Sequence, residues 1–121
     1  MNIVSGHSGG LIIRSNNDGS GYYFRISSDG TFLGEGINVR SQVGYPTPLF
    51  TGQSPAIHTG NNQFNQITVI AQGSNLYMYV NQQFVATISD STYTSGQIGV
   101  YTDSDASGAE VLFRNAQVWK L

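Results

Sequence analysis

The chain has no cysteine. That removes a disulfide framework and any thiolate metal site; it is compatible with an oxidising compartment without requiring one. Charge is nearly as scarce: 10% of residues are Asp, Glu, Lys or Arg, and the formal net charge is −2. A nucleic-acid ligand needs a basic patch to neutralise its phosphates, and so weak a charge offers none; it suits an anionic membrane surface no better. No stretch approaches the run of about 18 apolar residues that spans a bilayer, so no membrane insertion is expected. Helical periodicity of useful length is absent. The segment Met1–Gly10 has neither the basic start nor the apolar run of a signal peptide. That leaves a cytoplasmic chain or one whose signal or upstream domain has been removed.

What is present is a series of short runs with the period of two that marks strands, because successive Cβ atoms point to opposite faces of a sheet. In Asn75–Asn81, Leu76, Met78 and Val80 fall on one face and Tyr77 and Tyr79 on the other. Tyr22, Phe24 and Ile26 alternate in the same way with Tyr23, Arg25 and Ser27. Further strands are read at Gly10–Ser15, Thr31–Arg40, Phe64–Gln72, Phe84–Ile88, Gln97–Asp103 and Glu110–Trp119. Asp29-Gly30 is a hairpin signal. Gly34 and Gly36 weaken their strand and point to a bulge or a close backbone approach. Pro46, Pro48 and Pro55 exclude a central strand within Ser41–Gly60. The 121 residues suit one domain, 1–121, whose first nine residues form a flexible or edge-strand segment. The expected class is all-β, an antiparallel β-sandwich.

Several of these runs form an ordered series. Gly10-Leu-Ile-Ile-Arg14 and Tyr22-Tyr-Phe-Arg-Ile-Ser-Ser-Asp-Gly30 are followed by Ser54-Pro-Ala-Ile-His-Thr-Gly60. Then come Ala71-Gln-Gly-Ser-Asn-Leu-Tyr-Met-Tyr-Val-Asn81, Ser95-Gly-Gln-Ile-Gly-Val100 and Val111 to Val118. The series resembles the concanavalin A-like, laminin G-like jelly rolls of bacterial extracytoplasmic proteins. The resemblance implies a jelly-roll sandwich, a binding module often directed at carbohydrate, and an extracellular or cell-surface setting; a fold does not by itself fix a function. Two features depart from the family pattern. The family's Asn-Gly hairpin is Asn81-Gln82 here, which predicts a relaxed or bulged turn. Only nine residues precede Gly10, which predicts an abbreviated sandwich lacking the usual N-terminal strands. An unpaired edge invites another chain, so homo-oligomerisation or strand exchange is an expected alternative.

The chemistry-bearing residues are few. Related jelly-roll glucanases carry paired carboxylates on one strand, as retaining and inverting glycosidases need. Glu110-Val-Leu-Phe-Arg114 offers one carboxylate and no partner at alternate positions, so no catalytic residue is assigned. Phe113-Arg-Asn115 resembles the keto-disaccharide hydrolase jelly rolls, which keeps a saccharide hydrolase or lyase as a third reading. His7 and His58 stand in Gly/Ser- and Pro/Gly-rich segments without ligand spacing and read as solvated loop histidines. Asp103 and Asp105, helped by Ser104 and Ser107, or else Asn16, Asn17 and Asp18, offer oxygens to Ca²⁺, although Asp-Ser-Asp is also ordinary turn chemistry.

The tyrosines carry the binding expectation. If Leu76, Met78, Val80, Ile98, Val100, Phe24 and Ile26 are core, then Tyr77, Tyr79, Tyr101, Asp103, Tyr23 and Arg25 point outward, and Ile13 inward sends Arg14 outward. Arg14, Tyr23, Arg25, Tyr77, Tyr79, Tyr101 and Asp103 are therefore expected to line one concave surface. Sugars use such surfaces, stacking their apolar faces on rings while polar groups fix orientation. The plain alternative is that tyrosine is a good strand residue pairing across a half-exposed sheet. Trp119 is expected to plug the core or an edge.

Overall fold

In the computed structural model, residues 1–40, 47–103 and 108–120 are described. Among them the secondary structure is all strand: β1 (Asn2–Ser5), β2 (Ser8–Ser15), β3 (Gly21–Ser27), β4 (Thr31–Ile37), β5 (Thr47–Gln53), β6 (Ile67–Gln72), β7 (Asn75–Val80), β8 (Gln83–Ser89), β9 (Gln97–Asp103) and β10 (Glu110–Leu112). A five-stranded sheet runs β5-β4-β3-β2-β9 and a three-stranded sheet β6-β7-β8, while β1 pairs with β10. Every strand pairing is antiparallel.

The two larger sheets face each other through the alternating positions read from the sequence. Tyr22, Phe24 and Ile26 of β3 and Leu76, Met78 and Val80 of β7 are all fully buried. They share one apolar cluster with Phe32, Ala56 and Ile57. Complete burial of a large apolar side chain stabilises by roughly 1.5–3 kcal/mol, so these two strands supply the spine of the fold. Phe50 adds its ring, tilted against Phe24 at 5.7 Å and Phe32 at 6.0 Å between centroids. It lies against Gly34, where an added Cβ would stand 2.6 Å from Phe50 Cε1. Gly34 is thus the close approach that glycine in a strand often marks.

β5 departs from the irregular segment expected between Ser41 and Gly60. It is an edge strand, where Pro48 removes no interior ladder bond; residues 41–46, with Pro46, lie outside the described residues. The N-terminal segment is held in strand β1, linked toward β6 by the Asn2–Phe64 bridge and by Asn65 N donating to Met1 O at 2.8 Å. The C-terminal strand is far shorter than Glu110–Trp119. It stops at Leu112; Arg114 then stacks over the Phe64 ring at 3.9 Å, and Asn115 takes a left-handed φ of 57°. Trp119 is 68% exposed and so plugs neither core nor edge. Ile98 and Val100, expected in the core, are more than half exposed, because β9 is an edge strand lying beyond the cover of β6–β8.

The Asn81-Gln82 turn is tight rather than relaxed. Both residues have positive φ, 52° and 65°, the two-residue geometry of a type I′ hairpin. Asn81 secures it: its Oδ1 accepts from Gln66 N at 2.9 Å, and its Nδ2 donates to Ala56 O at 2.8 Å and Asn65 Oδ1 at 2.9 Å. The irregularity falls inside the strands, between Met78 and Tyr79, where Val85 is the extra residue of β8. Since left-handed backbone costs a residue with a Cβ roughly 1–2 kcal/mol, Gln82→Gly is expected to raise stability by about 1 kcal/mol, read as a higher denaturant midpoint at unchanged slope.

Tyr22 ties β3 to the connection between β8 and β9. Its hydroxyl donates to Asp90 Oδ1 and accepts from Tyr93 N at 3.2 Å, and its ring meets Tyr93 edge-on at 5.2 Å. Burial alone would raise the Asp90 pKa, but hydrogen bonds from Tyr22 and Thr92 outweigh it and hold the carboxyl below its ordinary value. A carboxylate depressed in the folded state stabilises above its unfolded pKa, and that contribution is lost as pH falls through the folded value. Tyr22→Phe is therefore expected to cost about 2 kcal/mol near neutrality, and the gap between variant and parent should shrink in acid melts as Asp90 takes up a proton.

Candidate functional site

Residues paired across antiparallel strands share a face, so register fixes what the five-stranded sheet shows to solvent. Arg25 is paired with Leu33 on one side and Gly10 on the other, and Gly10 in turn with Tyr101. One step along, Glu35, Tyr23, Ile12 and Gly99 are in line. Ser27, Ser8 and Asp103 form the next row. Tyr23, Arg25, Glu35, Tyr101 and Asp103 therefore lie together on this outer face.

Contacts within the group are direct. Arg25 Nη1 forms an ion pair with Asp103 Oδ2, crossing β2 above Gly10, which has no side chain to block it. Gly10 also approaches β3 so closely that a Cβ would collide with Phe24 O and stand 2.7 Å from Arg25 Cα. The rings of Tyr23 and Tyr101 meet edge-on at 5.1 Å, and Tyr23 Oη donates to Gly19 O at 2.7 Å. Partial burial raises the Glu35 pKa; Arg25 works against that shift and Asp103 adds to it. Burial likewise pushes the Tyr101 phenol well above its ordinary value. Tyr101 Oη is buried and has no hydrogen-bond partner among the described residues.

A surface with one cation, two carboxylates and two phenols can grip a polyhydroxylated molecule. Carboxylates accept from vicinal hydroxyls, a guanidinium donates from a fixed fork, and rings offer apolar faces. Tyr101 Oη is an orphaned buried polar group, costly to leave unpaired.

The expected single surface does not exist. Tyr77 and Tyr79 pair with Ile70 and Thr68 on the outer face of β6–β8, so the sandwich core separates them from Arg25. Alternation along a strand gives the face but not the sheet. Arg14 also leaves the group: the ladder between β2 and β9 is irregular between Ile12 and Ser15, and Arg14 has a φ of 50°. Its Nη1 donates to Tyr93 O at 3.2 Å, toward the Tyr22 end of the core. The gain is Glu35, which the sequence reading passed over. Its signal was available: on β4 it alternates with Gly34 and Gly36, and the Asp29-Gly30 hairpin places it opposite Tyr23.

The calcium expectation is not supported by donors free to converge. Asp103 is engaged by Arg25, and Asp105 lies outside the described residues with Ser104 and Ser107. Asp18 accepts from Ser20 N at 2.9 Å and pairs with Arg40 Nε at 2.8 Å. Among the described residues, no three His, Cys, Asp or Glu side chains form a group able to hold a metal ion. His58 is exposed but engaged: its Nδ1 contacts Phe64 O at 2.9 Å. His7 stands 3.9 Å from Asp29. A shallow polar cleft of about 680 Å³ opens elsewhere, at the loop end of the sandwich, lined among others by Asn16, Asp18, Arg40, Tyr93 and Gln97. Its acid and base already neutralise each other, and among the described residues it holds no orphaned buried polar atom, so the outer face of the larger sheet is the stronger candidate.

No protein-family model and no curated protein matches this chain. Among solved structures it is similar to the carbohydrate binding module CBM66 from Bacillus subtilis, with a TM-score of 0.69 and 20% identity over 82% of this chain and 60% of that one. The chain thus spans about 60% of that protein's length. At this identity the likeness establishes the fold: an all-β antiparallel sandwich.

Removing the orphaned phenol tests its cost. Tyr101→Phe is expected to keep or raise thermal stability by about 1 kcal/mol, since a buried hydroxyl without a partner is destabilising; a clear loss measured by calorimetry would show a partner for Oη in the folded chain.

Proposed function

We propose that the protein is a non-catalytic, lectin-like carbohydrate-binding module, a jelly roll of the concanavalin A-like, laminin G-like kind comprising residues 1–121, working outside the cell or at its surface. The observation that carries this reading is the Tyr23–Arg25–Glu35–Tyr101–Asp103 group on one outer sheet face. The carbohydrate-binding title of the similar structure supports it. Arg25 is the central residue: it aligns Asp103, tempers Glu35 and presents donors to ligand oxygens. Tyr23 and Tyr101 supply ring faces, and Glu35 accepts from hydroxyls.

Two other readings each have one observation in their favour. A saccharide hydrolase is favoured by Glu35 and Asp103 sharing one face, Glu35 with its pKa raised by burial. Self-association is favoured by β9, an edge strand whose Ile98 and Val100 are 59% and 51% exposed. Binding leads because Asp103 is already held by Arg25, which opposes its service as nucleophile or base.

A glycan array followed by titration calorimetry tests the reading. Arg25→Ala is expected to weaken saccharide binding at least a hundredfold, the scale of about 3 kcal/mol for a charged hydrogen-bonding group, with the fold intact by circular dichroism. Unchanged affinity would remove this face from the function. Release of reducing sugar that Glu35→Gln abolishes would instead favour the hydrolase, and a defined oligomer without sugar affinity the assembly subunit.

A further inference from the structure

β6, β7 and β8 contain no Asp, Glu, Lys or Arg. Sheet edges and outer faces ordinarily carry charge, which keeps them from sticking to other chains. Here the outer face includes Thr68 and Ile70 of β6, Tyr77 and Tyr79 of β7, and Phe84 and Thr87 of β8, with the polar Gln72, Asn75 and Ser89 at one end. Phe84 is 56% exposed, and its ring meets that of Tyr79 edge-on at 5.8 Å. Neither Tyr77 nor Tyr79 directs its hydroxyl to a hydrogen-bond partner among the described residues. The core needs none of these rings: Leu76, Met78 and Val80 fill it from the other side of the same strand.

We infer that the outer face of β6–β8 is a second saccharide-contacting surface, specific for uncharged polysaccharide, and that the module is bivalent through opposite faces of the sandwich. The inference rests on the carbohydrate reading and extends it.

Ligand class follows from the chemistry of the face. Uncharged strands give an ionic ligand no counter-charge. The exposed Phe84 ring, beside the half-buried Tyr77 and Tyr79 with their phenol hydroxyls, suits a ligand that is apolar on its ring faces and polar at its rim. Tyr77 and Tyr79 are two residues apart on one face, about 7 Å along the strand, a separation on the scale of a sugar unit.

Area argues against a second copy as the occupant. Strands of six or seven residues are about 20 Å long and three of them about 14 Å across. The footprint is thus roughly 300 Å², against the roughly 800 Å² per partner of a stable protein interface. It is enough for a few sugar rings. Because the two surfaces look away from each other, a short oligosaccharide occupies one or the other, whereas separate polysaccharide chains can be joined. Two weak sites then act together through effective concentration.

The test uses the full chain, the variants Tyr79→Ala/Phe84→Ala and Arg25→Ala, and soluble neutral polysaccharides (glucans, mannans, galactans and fructans). Turbidity reports cross-linking and calorimetry with short oligosaccharides reports single-site affinity; light scattering gives the mass without sugar, and circular dichroism checks the fold. The expected result is that the parent cross-links at least one polymer. The Tyr79/Phe84 variant should lose cross-linking, and about tenfold or more in apparent polymer affinity, while its oligosaccharide affinity at the Arg25 face stays unchanged. The inference is overturned by a Tyr79/Phe84 variant that cross-links like the parent, by parent protein that binds polymer without cross-linking, or by no polymer binding at all. A parent dimer that this variant dissociates also overturns it, in favour of a second copy on that face. If Arg25→Ala changes nothing while the Tyr79/Phe84 variant loses polymer affinity, the Arg25 reading and with it the bivalency have failed, and the aromatic surface alone stands.

Discussion

The interlock of Tyr22, Phe24 and Ile26 with Leu76, Met78 and Val80 is the constraint on which the remaining structure depends. All six are fully buried and drawn from two central strands. Once they face inward, the pleat leaves no freedom to the residues between them. Tyr23 and Arg25 must stand on one outer face and Tyr77 and Tyr79 on the other. A slip of one residue in either strand would exchange core for surface along its whole length, so the force that specifies the fold also specifies what each surface offers a ligand.

The same constraint makes a polar site affordable in a chain with so little charge. Arg25 and Asp103 are anchored on strands whose opposite sides are committed to the sandwich or to a neighbouring strand. Their ion pair, partly exposed, contributes little to stability. What it does is hold the two groups in a fixed relation on the sheet face. Glu35 has no such partner to itself. Arg25 only partly offsets the burial that raises its pKa, and the orphaned Tyr101 hydroxyl lies on the same sheet face. Unmet polar groups over a satisfied framework are what a binding surface requires.

Much of the fold was legible in the sequence because alternation is local. Strand β9 falls where its pattern places it, and β7 and β3 differ by a single end residue. Less legible were features set by distant pairing. Val111 alternates as a strand residue should, yet β10 ends at Leu112, because β1, its pairing partner, runs only from Asn2 to Ser5. Ile98 and Val100 have the pattern of core residues, but the covering sheet ends before it reaches them. Arg14 was misplaced by an irregularity that no propensity announces. The candidate site was half legible: Tyr23, Arg25, Tyr101 and Asp103 were found from parity, while Glu35 required the β3–β4 register and Tyr77 and Tyr79 required knowing which sheet each strand joins.

The division of aromatics between two faces has a thermodynamic side. A sandwich core transmits little, since close-packed side chains in rotamer minima do not deform continuously. On the proposed reading, ligand on the Arg25 face would therefore leave the Tyr79 face as it was, and the two surfaces would act independently except through a shared polymer. One face is charged, directional and partly buried; the other is neutral, flat and tolerant. On the proposed reading the first would discriminate between sugars by hydrogen bonding, because a mismatched hydroxyl leaves Glu35 or Arg25 unpaired. The second would exclude charged ligands but discriminate little among neutral sugars, because any sugar with an apolar face can rest on a ring. Selectivity and adhesion would thereby be separated onto opposite sides of one rigid core.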